Sequence, residues 1–186
     1  MKKDVFFIII LTGAILLLSG CGASQAKTGD GQETEAQIAP SAMEYYNHYM
    51  GEAGMAQSEN RIEDALNLYL QAADSLKDVD EPCIKKADAH YEAAQMAYQL
   101  YQKELTIEQY EKAIEIYMRY KGNAMSKAAV SYTNMGVVWK ELHNKGKARS
   151  CWQQALDIYK SMSQSNQNAG NIEKINQNIR DLDEGF

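Results

Sequence analysis

Three kinds of patterning follow one another along the chain. An apolar run extends from Val5 to Leu18, interrupted only by Thr12 and Gly13 and preceded by Met1-Lys2-Lys3-Asp4. Gly22 to Pro40 is then mostly Gly, Ser, Thr, Gln, Glu and Asp, with four alanines and Ile38 as the only large hydrophobe. Such a stretch cannot bury enough apolar surface to offset its ordering entropy, so residues 21–40 are expected to be a flexible tether. From Ser41 onward apolar residues recur at intervals of three and four, the period of an amphipathic helix.

The periodic part divides into helices. Ser41-x-x-Glu44 has the form of a capping box directly after Pro40. The helix it opens carries Tyr45, Tyr49, Ala53 and Ala56 on one face, and Gln57 to Asn60 is the turn that follows. Arg61 to Lys77 is predicted as a second helix with Ile62, Ala65, Leu66, Tyr69, Ala72, Ala73 and Leu76 on one side. Pro82 suits the first position of a third, because its missing N–H has no intrahelical partner there. That helix is expected to reach about Gln102, and Thr106-x-x-Gln109 reads as another capping box, so a break is placed at residues 103–105. The fourth helix holds Ile107, Tyr110, Ala113, Ile114, Tyr117 and Met118 and is expected to stop at Gly122. Two more occupy Ala128 to Tyr159, with a turn at Asn144 to Gly146. A stretch rich in Ser, Gln and Asn ends the pattern, and Asn171 is predicted to cap a last helix with Ile172, Ile175, Ile179 and Leu182 on one face.

Within Ala128 to Tyr159 the spacing is Tyr132-x-x-Met135-Gly136-x-x-Trp139, then Ala148-x-x-x-Trp152 and Ala155-Leu156. This resembles one tetratricopeptide repeat: an aromatic, a hydrophobe-glycine pair and an aromatic on one helix, then alanine-x-x-x-aromatic on the next. His143 and Lys145 depart from it, standing where the family usually has a glycine and an aromatic. Ala65-x-x-x-Tyr69-x-x-Ala72 and Ala113-x-x-x-Tyr117 repeat the second-helix pattern, although Ala56 is small where a large residue is usual and Tyr120 large where a small one is expected. Ala113 to Ala148 spans 35 residues, near the roughly 34 of the family. Ala65 to Ala113 spans 48, so an extended helix or a different register must absorb the excess. The resemblance implies an all-α solenoid of about three helix pairs over residues 41–165, with 166–186 as a capping helix that is apolar inside and polar outside.

The first residues change where such a domain would sit. A basic start, a short apolar core and small residues after it make a secretory signal over 1–20, too short to span a bilayer comfortably. Leu18-Ser19-Gly20-Cys21 resembles the bacterial lipobox. That resemblance implies cleavage before Cys21, acylation of its sulfur, and a lipid-anchored domain facing outside the cytoplasm on the cell membrane or outer membrane. Removing 1–20 takes away Lys2, Lys3 and Asp4, a net +1, so the formal charge of −6 becomes −7. An acidic surface argues against nucleic acid, whose phosphates call for a basic patch. It leaves membrane binding to the lipid.

Catalytic constellations are absent from the pattern. His48, His90 and His143 lie far apart, and none pairs with Cys or Glu at a metal-ligand spacing. Cys83 and Cys151 could pair outside the cytoplasm or remain two isolated thiols, a matter for geometry. The expectation is a non-enzymatic protein with no cofactor and no metal. Trp139, Trp152 and most of the twelve tyrosines then serve as filler between helices. Function falls to a surface. In the resembled family the first helix of each repeat lines a groove for a protein or peptide, which here would comprise Val130, Thr133, Val137, Lys140 and Glu141. Such a groove is mostly apolar with a few polar residues. The expected role is a protein–protein interaction scaffold or assembly factor at the cell envelope. A solute- or peptide-binding lipoprotein serving a transporter or sensor is the alternative.

Overall fold

A computed structural model describes residues 40–79, 83–162 and 166–185. The expected signal sequence, Cys21, the expected tether up to residue 39 and Pro82 lie outside the described residues. Seven helices are present among those described: α1 (Pro40–Ser58), α2 (Ile62–Ser75), α3 (Ile84–Gln99), α4 (Lys103–Tyr117), α5 (Asn123–Glu141), α6 (Lys145–Ser161) and α7 (Asn166–Asp183). They pack in chain order as the hairpins α1–α2, α3–α4 and α5–α6, each set against the next, with α7 on α6. This is the expected all-α helical-hairpin solenoid. No described helix is long and apolar enough to cross a membrane.

The hairpins share one turn. Asn60, Tyr101 and His143 all have positive φ, at 59°, 59° and 56°. In each case the left-handed residue donates its N–H to the carbonyl three residues back: Asn60 to Gln57, Tyr101 to Tyr98 and His143 to Lys140. The next residue donates to the carbonyl five back: Arg61 to Ala56, Gln102 to Ala97 and Asn144 to Trp139. That pair of bonds is a Schellman motif, which satisfies the last carbonyls of a helix and normally uses glycine. His143 therefore stands where glycine is usual because the backbone there is left-handed. Asn144 goes on to cap α6, accepting the Lys147 N–H at 3.0 Å.

These turns fix the repeat length. Asn60, Tyr101 and His143 are spaced by 41 and 42 residues, so the residues five beyond them, Ala65, Thr106 and Ala148, are equivalent. All three are fully buried. The second-helix pattern of the middle hairpin is thus Thr106-x-x-x-Tyr110-x-x-Ala113, and not the expected Ala113-x-x-x-Tyr117, which lies seven residues too late. The uneven spacings of 48 and 35 were a register error, and Tyr120 occupies no small-residue position.

Other boundaries move as well. α1 already contains Pro40 and Ser41, so Ser41 does not cap it. α3 ends at Gln99 and α4 begins at Lys103, which makes Thr106 an interior residue; its Oγ1 donates to the Gln102 carbonyl. Gln109 is paired with His90, so the second capping box does not form. α4 stops at Tyr117, well short of Gly122, whose φ of 66° instead leads the chain into α5. α7 starts at Asn166 and not at Asn171, because apolar periodicity marks only the buried part of a helix.

The core is organised around close helix contacts. Trp152 is completely buried and its Nε1 donates to the Thr133 carbonyl at 3.0 Å. A Cβ placed on Gly136 would lie 2.4 Å from that nitrogen and 2.6 Å from Cδ1. α6 and α7 close over the same cluster, with Ala148, Ala155, Tyr159, Ile175 and Leu182 around the indole. Cys83 and Cys151 are buried and free, in separate parts of the core, so they form no disulfide.

Gly136→Ala should destabilise the domain by about 1–3 kcal/mol, since the hydrogen-bonded indole cannot step aside. An unchanged urea midpoint would show that the contact is not tight. Conversely, Tyr101 is 85% exposed and left-handed, and a bulky residue pays about 1 kcal/mol for that conformation. Tyr101→Gly is expected to raise stability by up to that amount, read from the same denaturant melts.

Candidate partner-binding groove

The groove forms where α3 and α5, the first helices of neighbouring hairpins, both pack on α4. Its cavity of about 230 Å³ is lined by Gln95, Tyr98 and Gln99 of α3, Tyr110 of α4, and Asn134, Val137 and Val138 of α5. Asn134 donates through Nδ2 to the Tyr110 hydroxyl at 3.2 Å, and Tyr110 packs on Tyr91 with ring centroids 5.9 Å apart. Burial holds the Tyr110 phenol well above its ordinary range, so it stays a neutral hydrogen-bonding group.

The five expected groove residues, all on α5, have different surroundings. Val137 lines the cavity. Val130 and Lys140 are half-buried. Thr133 is engaged inside its own hairpin: its Oγ1 donates to the Ala129 carbonyl at 2.8 Å and its own carbonyl receives Trp152 Nε1. Glu141 bridges to α3 and α4, accepting the Tyr98 hydroxyl at 2.6 Å and Lys103 Nζ at 3.1 Å. The Tyr98 bond, reinforced by Lys103, holds the Glu141 carboxyl below the usual carboxylate range. The same carboxylate pushes the Tyr98 phenol up to about 12.

Subtracting 42 from those five positions gives their counterparts on α3: Asp88, Tyr91, Gln95, Tyr98 and Gln99. All are polar or aromatic, so the groove is not mostly apolar as expected. Sequence reasoning missed them because the middle hairpin was placed in the wrong register; the 42-residue spacing would have found them. Asp88 Oδ1 accepts the Tyr117 hydroxyl at 2.5 Å and Lys127 Nζ at 2.7 Å, tying α3 to α4 and α5 at one end. Glu92, one turn further along, is half-buried and held above the ordinary glutamate range by burial, then by the Asp88 charge, with Lys127 opposing.

No group of three or more His, Cys, Asp or Glu residues is placed to hold a metal among the described residues. The Cys151 thiol is pushed up to about 11 by burial and by Glu111, so it is not a thiolate at neutral pH. The surface offers hydrogen-bonding and apolar contact.

The sequence profile of the soluble NSF attachment protein (SNAP) family matches residues 49–183. Among solved structures, the chain is similar to BtubC (BKLC) from P. vanneervenii, with 20% identity and a TM-score of 0.57 over 76% of this chain and 65% of that one. It is similar to the apo form of RapI, with 17% identity and a TM-score of 0.59 over 74% of this chain and 50% of that one. It also resembles the Sgt2 TPR domain from Aspergillus fumigatus, with 15% identity and a TM-score of 0.51 over 83% and 89%. The chain therefore spans about two thirds of BtubC and half of RapI. At these identities the likeness is one of fold. A comparison with curated proteins gives no match.

Glu92 generates a pH prediction. A carboxyl whose folded pKa is raised contributes stability at low pH that is lost as pH rises through the folded value. Glu92→Gln should therefore stabilise the domain at neutral pH, by on the order of 1 kcal/mol or less for a half-exposed group, and by nothing below the ordinary glutamate range. Chemical melts at the two pH values test this, and an equal effect at both would overturn it.

Proposed function

We propose that this chain, which belongs to the soluble NSF attachment protein family, is a membrane-anchored tetratricopeptide-like scaffold or assembly factor that grips a protein partner in the α3–α5 groove at the cell envelope. The cavity between Gln95, Tyr98, Asn134 and Val137 carries the binding part of this reading. Gln95 and Asn134 donate inside the protein, to Glu92 and to the Tyr110 hydroxyl, which leaves their amide oxygens to accept from the N–H groups of a peptide backbone. Val137, Val138 and the Tyr98 ring add apolar area for a side chain of the partner. An extended or helical segment fits this mixture better than a strongly charged one, and the helical-hairpin architecture is one whose grooves serve such segments.

The anchoring part rests on Leu18-Ser19-Gly20-Cys21 and the apolar run before it. Acyl chains on Cys21 contribute about 0.8 kcal/mol per buried methylene, and two or more such chains hold a protein stably at a membrane. The domain would then stand outside the cytoplasm, on the cell membrane or outer membrane, at the end of the polar segment that precedes α1. We assign it no catalytic activity and no cofactor.

The two parts are separable by experiment. A photo-reactive residue substituted at Val137 should give one stoichiometric protein adduct in cells, while the same residue at exposed Gln153 on α6 gives none. No adduct from position 137, or the same adducts from both, would overturn the groove. Cys21→Ala should leave the precursor unacylated by mass spectrometry and release the chain from the membrane fraction; an acylated variant would overturn the anchor.

A further inference from the structure

A second cleft lies on a different side of α3, between α2, α3 and α4, and the groove reading makes no use of it. Its volume is about 480 Å³, within the range of roughly 300–1,000 Å³ typical of small-molecule sites. Leu70, Ala73 and Ile116 form an apolar part of its wall. Lys77, Lys86 and Lys112 converge on it from the end of α2, from α3 and from α4.

At the centre is His90, which is 8% exposed. Its Nδ1 lies 2.8 Å from Gln109 Oε1. The amide oxygen can only accept, so Nδ1 carries a proton and Nε2 is the nitrogen left over. No fully buried side-chain nitrogen or oxygen lacks a partner among the described residues, and Nε2 has no protein partner among them, so it is open to the cleft.

This polar centre is specific to the middle hairpin. With the hairpin turns as the frame, His90 and Gln109 correspond to Tyr49 and Leu68 in the first hairpin and to Tyr132 and Cys151 in the third. Lys112 corresponds to Gln71 and Gln154. A hydrogen-bonded His–Gln pair therefore replaces core filler at the place where lysines from three segments meet. Local breaks of a repeating packing rule concentrate at functional sites.

The charges define what would bind. Lys77 pairs with Asp74 at 3.6 Å and Lys112 with Glu108 at 2.6 Å, while Lys86 has no carboxylate partner among the described residues. Three lysines against Asp74 and Glu115 leave the lining at +1; Glu108 on Lys112 and Arg119 on Glu115 offset each other, and protonation of His90 brings the total to +2. His90 is held below the ordinary histidine range by burial, and Lys112 and Lys86 push it further down, against the Gln109 bond and Glu108. Both lysine charges thus reach the imidazole. An incoming dianion would reverse that balance and draw a proton onto Nε2.

We propose that this cleft is a binding site for a small organic phosphate, with the phosphoryl dianion held by Lys86, Lys112 and protonated His90 and the organic portion against Leu70, Ala73 and Ile116. Lysine suits a compact dianion of this kind as a mobile point charge. Binding of the dianion takes up a proton at His90, so it tightens as pH falls through the range in which histidine titrates, until the phosphoryl group takes up its own second proton at about pH 6.

The test uses the full chain with isotope-labelled histidine and phenyl phosphate as the probe, followed by NMR. A saturable shift confined to the His90 imidazole, with its titration midpoint raised and the signals of His48 and His143 unmoved, is the expected result. Sulfate, whose charge is constant over the histidine range, should bind more weakly but tighten steadily as pH falls, whereas phenyl phosphate should stop tightening near the second phosphate pKa of about 6. Lys86→Gln combined with Lys112→Gln should weaken phenyl phosphate by about tenfold or more while leaving the thermal melt unchanged. No saturable shift, equal shifts at all three histidines, or undiminished affinity in the double variant would each overturn the proposal. Phenyl phosphate binding no more tightly than inorganic phosphate would overturn the role given to the apolar wall.

Discussion

The contact between Trp152 and Gly136 sets the terms on which the rest of the domain is built. A helical hairpin of this kind buries one face only if its two helices approach closely, and an aromatic ring on the second helix must then fit over a small residue on the first. Where the ring is an indole, even a methyl group is too much: a Cβ on Gly136 would sit 2.4 Å from Nε1. Where the ring is a phenol, alanine is tolerated. The equivalent pairs are Ala94 with Tyr110 and Ala53 with Tyr69, each within one core cluster. The size of the aromatic and the size of the small residue compensate, which keeps hairpins of different sequence at similar spacing.

That regular framework makes its departures informative. The left-handed turn residues Asn60, Tyr101 and His143 all accept a conformation that favours glycine, because the two Schellman bonds at each turn stabilise it. In the middle hairpin the aromatic-and-apolar filler gives way to His90 and Gln109, beside lysines whose charge the imidazole feels. On the other side of the same hairpin, Asp88 accepts from Lys127, Tyr98 donates to Glu141, and Gln95 and Gln99 line the cavity with Val137. The middle hairpin thus carries most of the chemistry of the domain, between two neighbours that mainly supply packing.

Much of this was legible locally. The buried faces of α2, α4 and α6 follow a 3.6-residue period, so Leu66, Tyr69, Ile114 and Trp152 could be assigned to the core without a structure. Val137, which lies on the best-formed repeat, is the one expected groove residue that lines the cavity. The α3 side of the groove was not found, and the reason is geometric. Ala113-x-x-x-Tyr117 and Thr106-x-x-x-Tyr110 are seven residues apart, two helical turns, and therefore lie on the same face. Periodicity cannot choose between them.

What the sequence determined by itself was the class of the fold and the approximate number of helices, both of which depend on spacing within one or two helices. The tertiary structure alone decided the 41- and 42-residue register, the polar character of the groove and the meeting of three lysines at His90. Those depend on which helix lies beside which and how far each is slid along its axis. Sliding a helix by two turns preserves its apolar face but changes every neighbour it has.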